Sequence, residues 1–352
     1  MTVQLVITRF NNTIINNKEV NCMSTNITIK DVAKQAGVSE ATVSRALNDS
    51  PQVKRDTRQK IQNIARNLGY RPNGLARSIR VQKSHTLGMI IPDILNGFFT
   101  QLSRAIEDTA SQAGYDVLIV NTDEHLNKEA KAINLMLEKQ VDGLIITSAG
   151  NSTDYPKMLG NTPAVFVDRM PPADVVSQYD RVLVDNAQGT QAIINCLIDR
   201  GAQRIGIINS SVSATARERL QGYHQALAEA GLPADPAIEV SARTDGSNVP
   251  QMTRQLLVNQ KCDALFAADN TIMTGVLTKL PELQLPAFQL GAFDDNDWFD
   301  FLPQPIVTAK QPIAELGRIA VERILARAAD HQLPTQEFRL PAEIIPRPNN
   351  AR

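Results

Sequence analysis

Two hydrophobic patterns divide this chain near residue 85. Before that point, apolar residues recur at the three- and four-residue spacing of one helix face, as Ile61, Ile64, Ala65 and Leu68 do. After it, short runs of consecutive apolar residues alternate with longer amphipathic stretches. Such runs are typical of strands buried on both faces of a parallel sheet, and the stretches between them of covering helices. The pattern predicts an all-α amino-terminal part and a large α/β core.

Seven apolar runs predict strands of the core, and two amphipathic stretches predict helices. The strands cover residues 87–91, 117–120, 143–147, 165–167, 205–208, 264–267 and 288–291, and the helices cover 98–113 and 128–139. Asp185 and Asn186, followed by Gly189, indicate where the chain crosses into a second half. Two doubly wound parallel-sheet subdomains would leave a ligand cleft between the carboxyl ends of their strands.

The amino-terminal part carries the signals of a helix-turn-helix. Thr28 and Asp31 form a capping box that starts a first helix, and Gly37 supplies the positive φ of a tight turn. Ser39 then caps a second helix over Glu40–Leu47, and a third helix follows. The second helix offers groups suited to base edges and phosphates, namely Glu40, Ala41, Thr42, Ser44 and Arg45. On spacing alone, a generic helical hairpin is the alternative.

A short segment after the third helix has the composition of a hinge. Residues 70–73 break the helix at a proline, and residues 74–80 combine apolar and basic side chains. A helix this short is not stable in isolation. It would order where two copies meet on DNA, with an apolar side chain wedged into a base step and basic ones in the minor groove.

Charge is distributed unevenly along the chain. The 352 residues carry a net charge of −1. Residues 1–23 carry +1, and residues 24–83 hold 12 Lys and Arg against 4 Asp and Glu, or +8, which leaves −10 for residues 84–352. A basic amino-terminal part on an acidic body is the expected footprint of a nucleic-acid module attached to a regulatory domain. Charge alone fits a solvated charged face equally well.

Several classes of protein lack their signals here. Cys22, Cys196 and Cys262 have no C-x-x-C spacing, which argues against a disulfide framework and a zinc site and fits a reducing, cytoplasmic setting. No apolar run is long enough to cross a bilayer, and the first residues do not read as a signal peptide. Residues 1–23 are expected to be a disordered leader or a misassigned start.

An enzyme and an isolated solute-binding module are the competing functions. The sequence has no G-x-S-x-G, P-loop or dinucleotide-binding glycine motif, and its histidines, His85, His125, His224 and His331, are isolated. We therefore expect no catalytic activity, no cofactor and no metal. An isolated solute-binding module would not explain the helix-turn-helix signals in residues 27–80.

Dense motifs run through residues 27–80: Thr28-Ile29-Lys30-Asp31-Val32-Ala33, Gly37-Val38-Ser39, Thr42-Val43-Ser44-Arg45, Leu47-Asn48 and Tyr70-Arg71-Pro72-Asn73. They resemble the lactose/galactose repressor (LacI/GalR) family. The resemblance implies a transcription regulator, expected to be a repressor, that binds near-palindromic double-stranded DNA as a homodimer. It also implies DNA contacts from Thr28, Ser39, Glu40, Ala41, Thr42, Ser44, Arg45, Asn48, Tyr70, Asn73, Ala76, Arg77 and Ile79.

Two positions depart from that family. Ile79 stands where the family usually has the Leu that wedges the central base step, and its β-branched side chain is stiffer. Lys54 stands where a Ser commonly caps the third helix, and losing such a cap costs about 1 kcal/mol.

The likeness extends through the core to about residue 345, where the family resembles periplasmic sugar-binding proteins. It implies an effector site built from Asp93, Phe98, Phe99, Asp168, Arg219, Asp269, Asp294 and Gln311. Carboxylates accept hydroxyl protons, and an arginine can hold a carboxylate or a hydroxyl pair. The effector is then a sugar or a sugar derivative, either a neutral polyol or a sugar acid.

Each of these residues also has an ordinary structural role. Arg219 could form a surface ion pair, Asp168 and Asp269 could cap helices, and Phe98, Phe99 and Trp298 could belong to the core. The resemblance also places Lys310-Gln311-Pro312 at the last crossover between the lobes.

The expected domain organisation has five parts. Residues 1–23 are the leader, 24–71 the helix-turn-helix DNA-binding domain, 72–85 the hinge helix and linker, 86–345 the two-lobed effector-binding and dimerisation core, and 346–352 the tail. Because no leucine heptads follow Pro346, a dimer is expected rather than a tetramer.

Overall fold

The computed structural model describes residues 27–70, 83–150, 153–210 and 213–347, which fall into two units. We call them the head (residues 1–80) and the core (residues 81–352). Among the described residues, no helix is long and apolar enough to cross a membrane.

Three helices form the described head: α1 (Ile29–Ala36), α2 (Glu40–Leu47) and α3 (Arg55–Asn67). They pack around Val32, Val43 and Ile61, which are fully buried. The Asp31 carboxylate accepts the backbone N–H of Thr28 at 2.8 Å. The helix-turn-helix prediction is confirmed, and α2 has the predicted bounds.

Two features of the head follow from single residues. Gly37 ends α1 in the left-handed region at φ 70°, which lets the chain turn at once into α2. Lys54 begins α3 and makes no side-chain hydrogen bond to the helix, as its lack of a short acceptor predicts.

The core consists of twelve described strands with helices between them. The first lobe contains β1 (Thr86–Ile91), α4 (Gly97–Gln112), β2 (Asp116–Asn121), α5 (Leu126–Glu138), β3 (Gly143–Ile146), α6 (Tyr155–Leu159), β4 (Ala164–Val167) and β5 (Asp180–Val184). The second contains α7 (Asn186–Asp199), β6 (Ile205–Ser210), α8 (Ala214–Glu229), β7 (Glu239–Ala242), α9 (Val249–Arg254), β8 (Ala264–Ala267), α10 (Asn270–Lys279), β9 (Gln289–Phe293) and β10 (Ile306–Lys310). The chain then adds α11 (Ile313–Ala329) and β11 (Glu337–Leu340) to the first lobe and β12 (Glu343–Arg347) to the second.

Both sheets have the same doubly wound order. The first runs β2-β1-β3-β4-β5-β11 and is parallel throughout. The second runs β7-β6-β8-β9-β10-β12, and only its edge strand β12 is antiparallel. The carboxyl ends of the parallel strands therefore share one edge in each lobe, where doubly wound sheets bind ligands.

Within the described residues of the core, the chain passes between the lobes three times, at Asp185, at Gln311-Pro312 and at Pro341-Ala342. The prediction that residues 310–312 form the last crossover is wrong, because β11 and β12 follow in different sheets. Asp180 of β5 is fully buried and accepts Arg327 Nε at 2.7 Å and Arg323 Nη2 at 3.0 Å, so α11 is held on the first lobe after the second passage.

Close packing of α7 on α8 joins two helices that carry site residues. A Cβ on Gly222 would lie 2.1 Å from the carbonyl oxygen of Ala187, a backbone atom that cannot rotate away. We expect Gly222→Ala to lower the free energy of unfolding of the core by at least about 2 kcal/mol, because the helices must separate. Urea unfolding followed by circular dichroism measures it.

Gly97→Ala is the matched control, since a Cβ there meets nothing within 4 Å. Equal stability of the two variants would show that the helices do not touch at Gly222.

Candidate functional site

A cleft of about 320 Å³ lies between the two lobes, at the carboxyl ends of their strands. Its walls come from residues that follow strands in both sheets. All eight residues predicted for the effector site line it: Asp93, Phe98, Phe99, Asp168, Arg219, Asp269, Asp294 and Gln311. Parallel topology brings them together, because a residue just after any strand of such a sheet reaches the same edge.

Asp168 and Asp294 occupy equivalent places in the two lobes. Asp168 follows β4 and Asp294 follows β9, the fourth strands of the matching sheet orders. Both adopt the left-handed region, with φ of 66° and 76°, and both are 6% exposed. Aspartate tolerates this conformation better than most residues. The turn aims each carboxyl group into the cleft rather than along the next helix.

Arg219 reaches the cleft from α8 and is 6% exposed. Its Nε donates to Asn186 Oδ1 at 2.9 Å, and its Nη1 donates to the carbonyl of Ala268. The guanidinium carbon lies 3.8 Å from the centroid of the Phe293 ring. The proposed surface ion pair is therefore wrong for Arg219: it is a buried cation with a fixed orientation.

Burial raises the pKa of three carboxyl groups in the cleft. Loss of water raises the pKa of Asp168 to about 6, against the lowering influence of Arg169 and Arg219. The same cause raises the pKa values of Asp269 and Asp294, and the charge of Asp294 further raises the pKa values of Asp269 and Asp168. The cleft thus holds carboxyl groups that are costly to ionise until a donor approaches them.

Gln311 and Arg169 have buried atoms without a described hydrogen-bond partner. Gln311 donates through Nε2 to Asp294, while its Oε1 accepts no hydrogen bond. Arg169 forms a two-point pair with Glu124, both contacts at 2.7 Å, while its Nε makes no hydrogen bond and lies 3.8 Å from Asp168 Oδ2. Orphaned polar atoms in the wall of a cleft are suited to ligand contacts.

The sequence also allowed ordinary structural roles for Asp269 as a helix cap and for three aromatic residues as core, and these alternatives differ in outcome. Asp269 does cap a helix, because its Oδ1 accepts the N–H of Ile272 at 2.8 Å at the start of α10, yet it also lines the cleft. Phe98 and Phe99 are buried and line the cleft with their rings 5.1 Å apart. Trp298 is 44% exposed and does not line it, so it is not an ordinary core residue.

Sequence reasoning missed part of the cleft wall. The missed polar residues include Asp123, Glu124, His125, Arg169, Asn209, Ser210, Ser213, Thr215, Arg243, Thr244, Asp245 and Thr271. Most follow strands β2, β4, β6, β7 and β8, so the strand-end rule applied to every strand would have found them. No described group of three or more His, Cys, Asp or Glu residues is arranged to hold a metal ion.

Asn186 connects Arg219 to the first lobe through hydrogen bonds. It lies where the first passage enters α7, and its Nδ2 donates to Glu218 Oε2 at 2.9 Å. Glu218 Oε1 accepts Arg339 Nη1 at 3.0 Å, and Arg339 belongs to β11 of the first lobe. The cleft arginine is therefore linked across the lobes by side chains that do not line the cleft.

The head presents the predicted DNA-contacting face of α2. Glu40, Ala41, Arg45 and Asn48 are exposed, and Thr42 and Ser44 are half-buried. The Ser39 hydroxyl accepts the N–H of Thr42 at 3.2 Å and so caps α2.

The remaining predicted DNA contacts are placed differently. Thr28 is exposed at the start of α1, and half-buried Tyr70 packs against the core of the head. Asn73, Ala76, Arg77 and Ile79 lie outside the described residues.

The head and the cleft together define a class of protein, a DNA-binding regulator that carries its own small-molecule-binding domain. Residues 28–73 match the model for bacterial regulatory proteins of the lacI family. Residues 84–278 match the model for periplasmic binding proteins and the sugar-binding domain of the LacI family.

Individual relatives agree with these matches. Catabolite control protein A of Priestia megaterium is 31% identical over 325 residues, covering 91% of this chain and 98% of that protein. The ribose operon repressor of Escherichia coli K12 is 30% identical over 318 residues, covering 89% and 96%. The solved lac repressor bound to ONPG in its repressed state has a TM-score of 0.81 at 25% identity, covering 93% of this chain and all of that one. The chain belongs to the LacI family and is a DNA-binding transcription regulator.

Removing the charge of Asp168 is expected to stabilise the free core. Because the folded-state pKa of Asp168 is about 6 and its ordinary value is 3.8, protonation favours folding. That contribution is full below about pH 4 and is lost as the pH rises through 6. We expect Asp168→Asn to raise the free energy of unfolding by about 1–3 kcal/mol at pH 7.5 and to leave it unchanged near pH 4.

Urea unfolding across this pH range measures the difference. Asp199→Asn, an exposed change outside the cleft, is the control. A difference that does not vary with pH would contradict the burial of an ionised Asp168.

Proposed function

We propose that this protein is a repressor that binds a near-palindromic operator as a homodimer, and that a sugar or sugar derivative in the cleft controls its operator affinity. One observation supports the effector site more strongly than any other. Eight residues chosen from the sequence, and spread over more than 200 positions, line a single cleft between the lobes. The ribose operon repressors and the lac repressor among the relatives are consistent with a sugar effector.

The DNA-binding role rests on the head. The exposed residues of α2 combine the long donor Arg45 with the short side chains Ala41 and Asn48, at the spacing of one helix face. Such a face suits the edges of bases in the major groove. The excess of basic residues between positions 24 and 83 supports attraction to phosphates.

The proposed control uses the two lobes. Effector binding closes the cleft and rotates the first lobe, which begins directly after the predicted hinge of residues 72–85. In a dimer this rotation changes the separation of two hinge segments and so the stability of their helices on DNA. Residues 24–71 form the DNA-binding domain in this proposal, and 86–345 form the effector-binding and dimerisation core.

The proposal assigns the cleft to binding and control, in the cytoplasm, and gives it no catalytic role. The relatives with matching length are transcription regulators. The cleft carboxyl groups surround Arg219 and Gln311, and the described residues there suggest no nucleophile held by a base. The groups are suited to recognising hydroxyls.

Selection of random DNA by the purified full chain tests the operator. We expect an enriched sequence with two-fold symmetry, whose affinity falls steeply as salt concentration rises. Arg45→Ala should weaken binding to that sequence at least about tenfold and reduce discrimination against bulk DNA, because a base contact is lost.

Lys131→Ala, an exposed change on α5 of the core, is the matched control and should bind like the parent. The proposal fails if no sequence is enriched, or if Arg45→Ala weakens binding to all DNA equally.

A further inference from the structure

The charges and hydrogen-bonding groups of the cleft restrict which sugar derivatives fit it. We propose that the effector is a neutral monosaccharide or polyol and that the cleft rejects phosphorylated sugars and sugar acids. This inference rests on the proposed function, because it specifies the ligand of the same cleft.

Negative charge is in excess inside the cleft. Arg169 is neutralised by its two-point contact with Glu124. Arg243 lies 3.7 Å from Asp245, and both are largely exposed at the rim. Arg169 Nε also lies 3.8 Å from Asp168 Oδ2. The described lining nevertheless sets seven carboxyl groups against three arginines, so negative charge is in excess.

An incoming anion would meet that excess at close range. Like charges a few ångströms apart in a site that excludes water repel each other strongly. The raised pKa values of the three carboxyl groups show that the interior already resists negative charge. A neutral ligand adds nothing to this repulsion.

The helix N-termini at the cleft are also occupied. Anions in proteins often bind the free N–H groups of such ends. Here Asn96 accepts the N–H of Phe98 at 3.0 Å on α4, and Ser213 accepts that of Ala216 at 3.1 Å on α8. Asp269 fills the same position on α10 with a carboxylate, which would repel a phosphate. All three capping residues line the cleft.

Arg219 is not free to clamp an anion. A guanidinium holds a carboxylate or phosphate through two neighbouring donors. In Arg219, Nε is bound to Asn186 and Nη1 to the carbonyl of Ala268, and one face lies on Phe293. Only Nη2 makes no contact with the described residues, which suits a single hydroxyl oxygen.

Acceptors in the wall need donors from the ligand. Asp168 and Asp294 offer carboxylate oxygens, and Gln311 offers an Oε1 that is buried without a partner. Several hydroxyls on one small ligand satisfy such a set, because each donates one hydrogen bond. The volume of about 320 Å³ is at the lower end for ligand pockets, which fits a single sugar ring.

Titration calorimetry with the full chain tests this selectivity. The probes are matched sets: D-ribose, D-ribose 5-phosphate and D-ribonate, and D-glucose, D-glucose 6-phosphate and D-gluconate, followed by myo-inositol and xylitol. We expect a neutral member to bind at least about tenfold more tightly than its charged counterparts. Arg219→Ala should abolish the binding, and Asp199→Asn should leave it unchanged.

The pH dependence gives a second readout. Asp168 faces Arg169, Arg219, Asp294 and Glu124. Because hydroxyls donate to its ionised form, affinity for a neutral probe should rise severalfold from about pH 5 to pH 7.5. Asp168→Asn, which accepts the same left-handed backbone, should bind more weakly and lose this rise.

The outcomes separate the inference from the function. Tighter binding of a phosphate or an acid overturns the inference and leaves a sugar-controlled regulator standing. Binding of none of the probes overturns both the inference and a sugar effector. A neutral probe whose affinity falls as pH rises overturns the role of the carboxylates.

Discussion

Burying the guanidinium of Arg219 among carboxyl groups is the constraint around which the core is arranged. Taking a charge out of water is expensive unless its donors and its charge are both satisfied. Here Asn186, the carbonyl of Ala268 and the ring of Phe293 hold the group, while three aspartates supply opposite charge. Because the carboxyl groups outnumber the cation, they repel one another in the free cleft. A ligand whose hydroxyls donate hydrogen bonds to them lowers this electrostatic energy.

The same arginine links ligand recognition to the arrangement of the lobes. Its partner Asn186 lies at the first passage, and Glu218 continues the hydrogen bonds to Arg339 next to the third passage. The close approach of α7 and α8 at Gly222 keeps Asn186 and Arg219 in one rigid unit. A ligand that draws Arg219 into the cleft therefore acts on contacts between the lobes as well as on the cleft wall.

Much of the fold of the core could be predicted from the sequence. Six of the seven predicted strands are buried, and they gave strong signals because parallel strands covered on both faces consist of consecutive apolar residues. The seventh, the edge strand β2, is apolar in sequence but has no buried residue. Five strands were missed. The edge strands β7, β11 and β12 carry charged residues, such as Glu239 and Arg339, and β12 contains Pro346. The inner strands β5 and β10 were also missed, because polar residues such as Arg181 and Thr308 interrupt their apolar runs. Without β11 and β12, the third passage between the lobes was not foreseen.

The eight cleft residues were chosen from the family resemblance, and the parallel strands, which deliver their carboxyl ends to one edge, explain why they meet. Their electrostatics could not be predicted from sequence: the fixed donors of Arg219 and the caps on the helix ends depend on distances between residues far apart in the chain. The wall after β7, including Arg243 and Asp245, was missed with its strand.

The central claim is that effector and operator binding are coupled through the core, and coupling free energies are reciprocal. The decisive measurement is the dissociation constant of the effector with and without saturating operator, set beside that of the operator with and without effector. The account predicts that both change by the same factor, and that Arg219→Ala abolishes the change. Effector affinity unaffected by operator, in a protein that binds both, would contradict it.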